Sequence, residues 1–99
     1  MHKVKATIYN KAGRIVSIGF NSYVKTHPLQ CRYARLAGMP EKVYLHAEID
    51  ALIKAKGRGY RIFIERYNKN GKPLLAKPCP ICQLAIDKAG LSVIQYTLG

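Results

Sequence analysis

Residues 45–67 read LHAEIDALIKAKGRGYRIFIERY, and two periodicities meet inside them. From Leu45 or His46, the apolar residues Ile49, Leu52 and Ile53 form a helical stripe that Gly57 and Gly59 bring to an end. From Tyr60 to Tyr67 the pattern becomes an alternation, with Ile62 and Ile64 on one side, which marks a strand. Asn70-Gly71 is a turn. Pro78 to Ala89 reads as helix again: Pro80 suits a first turn and Gly90 a C-terminal stop. Leu91 to Leu98 is a last strand. A helix between two strands implies a crossover, so the sheet is at least partly parallel and the class is α/β.

Upstream, Lys3 to Tyr9 alternates, with Val4, Ala6 and Ile8 on one face. After the turn Asn10-Lys11-Ala12-Gly13, Arg14 to Phe20 is a second strand with Val16, Ile18 and Phe20 on one side. The short connection makes this pair an antiparallel hairpin. Asn21 to Tyr44 is the least regular stretch. His27-Pro28, Gly38 and Met39-Pro40 are poor helix interior, so only a short helix within Leu29 to Leu36 is expected there. No internal repeat or low-complexity stretch is present.

Ninety-nine residues make one domain, 1–99, with no room for a second core. A hydrophobic share of 48% excludes a disordered chain. The apolar runs are only a few residues long, too short to span a membrane. Met1-His2-Lys3-Val4-Lys5 has no apolar signal core behind it, which argues for a cytoplasmic protein. Three cysteines cannot all pair within one chain, which favours a reduced setting and metal binding over a disulfide framework. A chain this short often needs a staple, and a zinc ion would serve.

Four residues carry the chemistry. His46 and Glu48 lie at the start of one helix, and Cys79 and Cys82 at the start of the next. The three-residue spacing puts both thiols on one face of a turn. Two thiolates and one imidazole suit a catalytic zinc, one per chain, with a fourth position free for water. Helix N-termini help to keep thiols ionised. Zinc brings the pKa of bound water to about 7, and Glu48 is placed to take that proton and deliver it to the substrate. His46 and Glu48 would diverge in mid-helix. At a first turn both can reach a common centre. A closed structural zinc site is the competing reading, with His27 or Cys31 as fourth ligand, but it leaves Glu48 without a purpose. His27 and Cys31 read more simply as loop residues without metal, and His2 as inert.

His46-Ala47-Glu48 followed by Pro78-Cys79-Pro80-Ile81-Cys82 resembles the H-x-E … P-C-x-x-C signature of the zinc deaminases. The chain looks like a member of the cytidine deaminase-like superfamily. It is most similar to the branch of deoxycytidylate, tRNA adenosine and polynucleotide cytosine deaminases. The resemblance covers most of the chain. It implies a three-layer α/β core with a mixed sheet of about four strands, whose helices carry the zinc motifs. It implies that His46, Cys79 and Cys82 hold Zn2+ and that Glu48 is the catalytic proton shuttle. It further implies that the Ala47 backbone N–H sits under the base and that Asn21 contacts the sugar, although Asn after a strand is also ordinary turn chemistry. Many deoxycytidylate deaminases read H-A-E-x-N-A, and here Asp50 stands in place of that Asn. The chain reads as a trimmed core, without the regulatory nucleoside-triphosphate site of larger relatives, with edges that contacts between copies would cover as a homo-oligomer.

The resemblance implies a hydrolase that replaces an exocyclic amine on an aromatic ring by oxygen and releases ammonia. The motif alone does not choose between cytosine and adenine. The short chain and the Pro-Cys-Pro-Ile-Cys segment look more like the cytosine side. A net charge of +12 suits a polyanion more than a monophosphate, so cytosine in single-stranded DNA or RNA is the favoured substrate. A free phosphorylated cytosine nucleotide is the alternative. Adenine deamination and an idle nucleic-acid-binding module are lesser ones, and Glu48 argues against the idle module. Tyr23, Lys25, Arg32, Arg35 and Arg66 are candidate phosphate or base contacts, since aromatics among cations suit unpaired bases. A solvated loop would carry the same residues.

Overall fold

The computed structural model describes residues 3–99, so His2 lies outside the described residues. The elements run β1 (Val4–Tyr9), β2 (Ile15–Phe20), α1 (Pro28–Leu36), α2 (Ala47–Ala55), β3 (Arg61–Arg66), α3 (Pro80–Ala89) and β4 (Val93–Tyr96). The sheet order is β2-β1-β3-β4. β1 is antiparallel to both β2 and β3, and β3 is parallel to β4 across the α3 crossover. The α/β class and the mixed four-stranded sheet expected from the sequence are what the chain forms.

Register decides which side chains meet the helices. Ala6 pairs with Gly19 and Ile64, and Ile8 with Ser17 and Ile62, so these six share one face. They are all buried, and α2 lies on β1 and β2 with Ala47, Ala51 and Ala55 in the same cluster. Ile86 of α3 joins them. A second cluster joins the three helices through Ala34, Leu45, Ile49, Ile81, Cys82 and Ala85. All three helices therefore belong to one layer, and the molecule is only 19 Å across its thin axis. That dimension holds one sheet and one helix layer about 10 Å apart. The third layer implied by the resemblance is not found among the described residues, because α1 packs beside α3 and leaves the other sheet face open.

On β2 the apolar alternation does not mark the helix side. Ile18 and Phe20 lie on the open face, opposite Thr7 and Lys5, and Ser17 and Gly19 face α2. The reason is close packing. A Cβ on Gly19 would come under 3.0 Å from the backbone of Ala47 and Ala51, so only glycine lets the helix approach this far. The Ser17 hydroxyl donates to the Ala51 carbonyl at 2.8 Å.

The helix ends follow their caps. His27 Nδ1 accepts from the Leu29 N–H at 3.0 Å and opens α1 ahead of Pro28. Gly90 closes α3 in the left-handed region. α2 stops one residue before the expected glycine, on Lys56 at φ 52°. Among the described residues no helix is long and apolar enough to cross a membrane.

Candidate metal centre

Two helix starts build the centre. His46 is the N-cap of α2 and Cys79 the N-cap of α3, and neither side chain caps its own helix. Both are thereby left to point across the gap between the helices. Cys82 stands in the first turn of α3, above Cys79, and is fully buried. His46 Nδ1 lies 3.2 Å from Cys82 Sγ and 3.5 Å from Cys79 Sγ. Their ligand atoms all fall within 4.8 Å of one another, and among the described residues they alone form such a group. Tetrahedral bonds of roughly 2.0–2.3 Å to N and S place ligand atoms about 3.4–3.8 Å apart, so these side chains fit a metal ion with little movement. His27 and Cys31 stand outside the group. His27 caps α1 through Nδ1 and is not among the side chains gathered at the centre.

The electrostatics are those of a site built for a cation. The Cys79 thiol is pulled down to about 4, chiefly by the hydrogen bond from Cys82, with His46 assisting. The Cys82 thiol is held up by the same bond and by burial. His46 is raised, first by its hydrogen bond with Cys79, against the opposing effect of burial. A metal ion at this centre would take the imidazole and both thiols in their deprotonated forms, so its binding releases protons.

Glu48 is in the first turn of α2, only 7% exposed, yet it lines the cavity over the centre. Burial raises its carboxyl above the ordinary value, against a hydrogen bond from its own backbone N–H and a lesser one from the Cys82 thiol. A carboxyl tuned this way exchanges protons more readily near neutral pH than an exposed one.

The cavity has a volume of about 530 Å³. His46, Ala47, Glu48 and Cys79 lie on its wall, together with Asn21, Tyr23 and Arg66. Lys25, Arg32 and Arg35 do not line it: Lys25 is in the loop after β2, and the two arginines are on the exposed side of α1. Asn21 Oδ1 accepts from the Val4 N–H at 2.8 Å, which ties the end of β2 to the start of β1. Asp50, the departure from the H-A-E-x-N-A pattern, accepts from the Phe20 N–H at 3.0 Å and from Lys54 Nζ at 2.9 Å. It fastens α2 to the end of β2.

Three residues carry no signal in the sequence. Lys42 and Lys77 bring cations to the cavity wall. Gln30, fully buried on α1, donates from Nε2 to the Lys42 carbonyl at 2.9 Å and accepts the His46 N–H at Oε1 at 3.1 Å. It clamps the segment that delivers His46. A glutamine on a short helix does not announce such a role, because its burial is decided by what packs around it. Compared with known proteins, the chain matches no family model and no curated protein.

Proposed function

We propose that the chain is a zinc-dependent hydrolytic deaminase of the cytidine deaminase-like superfamily, converting cytosine to uracil with release of ammonia. One observation carries the reading. A buried carboxyl with a raised pKa, Glu48, lines the same cavity as His46 and Cys79, and Cys82 completes the donor set behind them. A closed structural site would need a fourth donor, and among the described residues His46, Cys79 and Cys82 are joined by no other; it would also leave that carboxyl without a role.

His46, Cys79 and Cys82 would hold the ion, and zinc bound there supplies a nucleophilic oxygen from water at neutral pH. The chain's own groups do the rest. The Glu48 carboxylate takes the proton from water as oxygen adds to the carbon bearing the amine, and passes it to the adjacent ring nitrogen. The same carboxyl then moves the hydroxyl proton to the amino group. The carbon–nitrogen bond breaks and ammonia leaves. Ala47 is the first residue of α2, and its N–H lies outside the helix's own ladder. It can hold the base carbonyl while Asn21 meets the sugar. Arg66, Lys42 and Lys77 on the wall answer phosphate charge.

The favoured substrate is cytosine in a single strand, on the strength of the net charge of +12. Free deoxycytidylate is the second reading, favoured by a cavity of about 530 Å³ whose wall carries only a few cations, Lys42, Arg66 and Lys77. Mass analysis of products from both substrates, offered side by side, tests the proposal. Glu48→Gln should retain one zinc per chain and lose turnover by at least about a hundredfold. Full turnover in that variant, or no deaminated product from either substrate, would overturn it.

A further inference from the structure

The open face of the sheet holds a second hollow, of about 410 Å³, at the end of the strands where the metal cavity lies. Lys3, Lys5 and Phe20 line it, with Glu65, Tyr67 and Lys69. Register explains the grouping. Phe20, Lys5 and Glu65 stand in one row across β2, β1 and β3. Lys3 and Tyr67 lie two residues further along the same face. Their sequence neighbours point the other way: Val4, Asn21 and Arg66 line the metal cavity. Val4 belongs to both hollows, so a single strand-end ridge separates them.

The composition of this hollow names its occupant. Three lysines face one carboxylate, and Glu65 already accepts the Tyr67 hydroxyl at 3.0 Å. Phe20 is 53% exposed and Tyr67 42%. Uncovered aromatic rings beside uncompensated cations suit unpaired bases with their phosphates. A duplex would hide the faces of its bases from these rings. An acidic peptide would use the lysines and leave the rings idle.

We propose that the second hollow binds the flanking nucleotides of a single-stranded polynucleotide, which crosses the Val4 ridge from the base held in the metal cavity. This rests on the deaminase reading for what happens to the target base, but the binding it predicts does not require turnover.

The test is fluorescence anisotropy with labelled single-stranded DNA and RNA dodecamers containing one cytosine, against the matching duplexes. The Glu48→Gln protein is used so that the strand is not consumed. Phe20→Ala should weaken single-strand binding about fivefold to a hundredfold and change duplex binding little. Lys5→Glu with Lys69→Glu should make the slope of log affinity against log salt shallower by about 0.7 for each phosphate no longer neutralised. The DNA and RNA arms tell which backbone is preferred. Single-strand affinity unchanged in both variants would overturn the proposal, and so would a protein that binds neither dodecamer. In the second case deamination of free deoxycytidylate would still stand, so the two failures are distinguishable. Circular dichroism melting of each variant checks that weaker binding is not a failure to fold.

Discussion

On one face of the sheet Ala6, Ile8, Ser17, Gly19, Ile62 and Ile64 lie buried beneath helices, and every one of them is short or apolar. On the other face Lys5, Tyr9, Phe20, Arg61 and Glu65 reach into solvent, with Arg61 stacked 4.0 Å from the Tyr9 ring. The covered face fixes distance. A glycine, a serine hydroxyl and the Asp50 carboxylate hold α2 against β2, and the first turn of α2 carries His46 and Glu48 to the centre. The open face offers charge and ring surface on side chains that can adjust. A metal centre needs ligand atoms placed to a few tenths of an ångström, and a polyanion surface does not. On the function and the strand-binding hollow proposed above, the two faces divide the work accordingly.

The largest effect expected is at the centre itself. Cys82→Ala removes one of three donors at a fully buried position. Zinc content should fall from about one per chain to near zero after dialysis. The affinity loss should exceed the ~10–100-fold typical of an outer partner of a ligand. The melting temperature should fall with it, since metal binding and folding are coupled in so small a core. Ile18→Ala, a truncation of similar kind on the open face, should leave the metal content unchanged. Equal zinc in the two variants, measured by atomic emission, would remove the His/Cys/Cys assignment.

Gly19→Ala tests the covered face without touching a ligand. The added methyl meets the backbone of Ala47 and Ala51, which cannot rotate away as a side chain could. The helix must lift, at a cost of about 1–3 kcal/mol for overpacking of this kind. In a domain of this size that lowers the melting temperature by about 4–8 °C per kcal/mol. Because the start of α2 moves, zinc affinity should weaken as well. A variant as stable and as zinc-tight as the parent would show that α2 does not depend on this close approach.

Gly19 also shows what a sequence reveals and conceals. The metal motif is legible because few residue types perform that chemistry, and because Pro80 and Gly90 bracket its second helix. The strands are legible from alternation, yet on β2 Ile18 and Phe20 point outward while Val16 packs on the helix-side core. Close approach to a backbone leaves no hydropathy signal. Apart from the short helix expected within Leu29 to Leu36, which forms as α1, residues 21–44 resist reading because long-range pairings organise them. The Ser22 N–H donates to the Leu45 carbonyl at 2.9 Å, the Leu45 N–H donates to the Lys25 carbonyl, and Thr26 bridges to Tyr44. The clamp by Gln30 belongs to the same class of fact. Conversely, Lys25, Arg32 and Arg35 recommend themselves by charge and nearness in sequence. The loop and helix that carry them turn them away from the cavity wall.

The smallest effect expected is the most specific to Glu48. Burial raises its pKa in the folded protein above the ordinary value of an unfolded chain, about 4.3. Between those two values the native state keeps a proton that the unfolded state has released. Stability of the zinc-free protein therefore declines as pH rises through that window, and the full penalty persists above it. Cys79 contributes the opposite slope. Its thiol is depressed to about 4, so its stabilisation is present above the unfolded thiol value and is lost as pH falls through about 4. Both proteins carry Cys79, so the difference between parent and Glu48→Gln reports the carboxyl together with its coupling to His46, Cys79 and Cys82. In a chelator-treated urea titration at several pH values, the variant should match the parent below about pH 4. It should become the more stable of the two as pH rises past the raised value. A parent protein at least as stable as the variant at neutral pH would mean that Glu48 is ionised in the fold without cost. The buried carboxyl that carries the deaminase reading would then be an ordinary one.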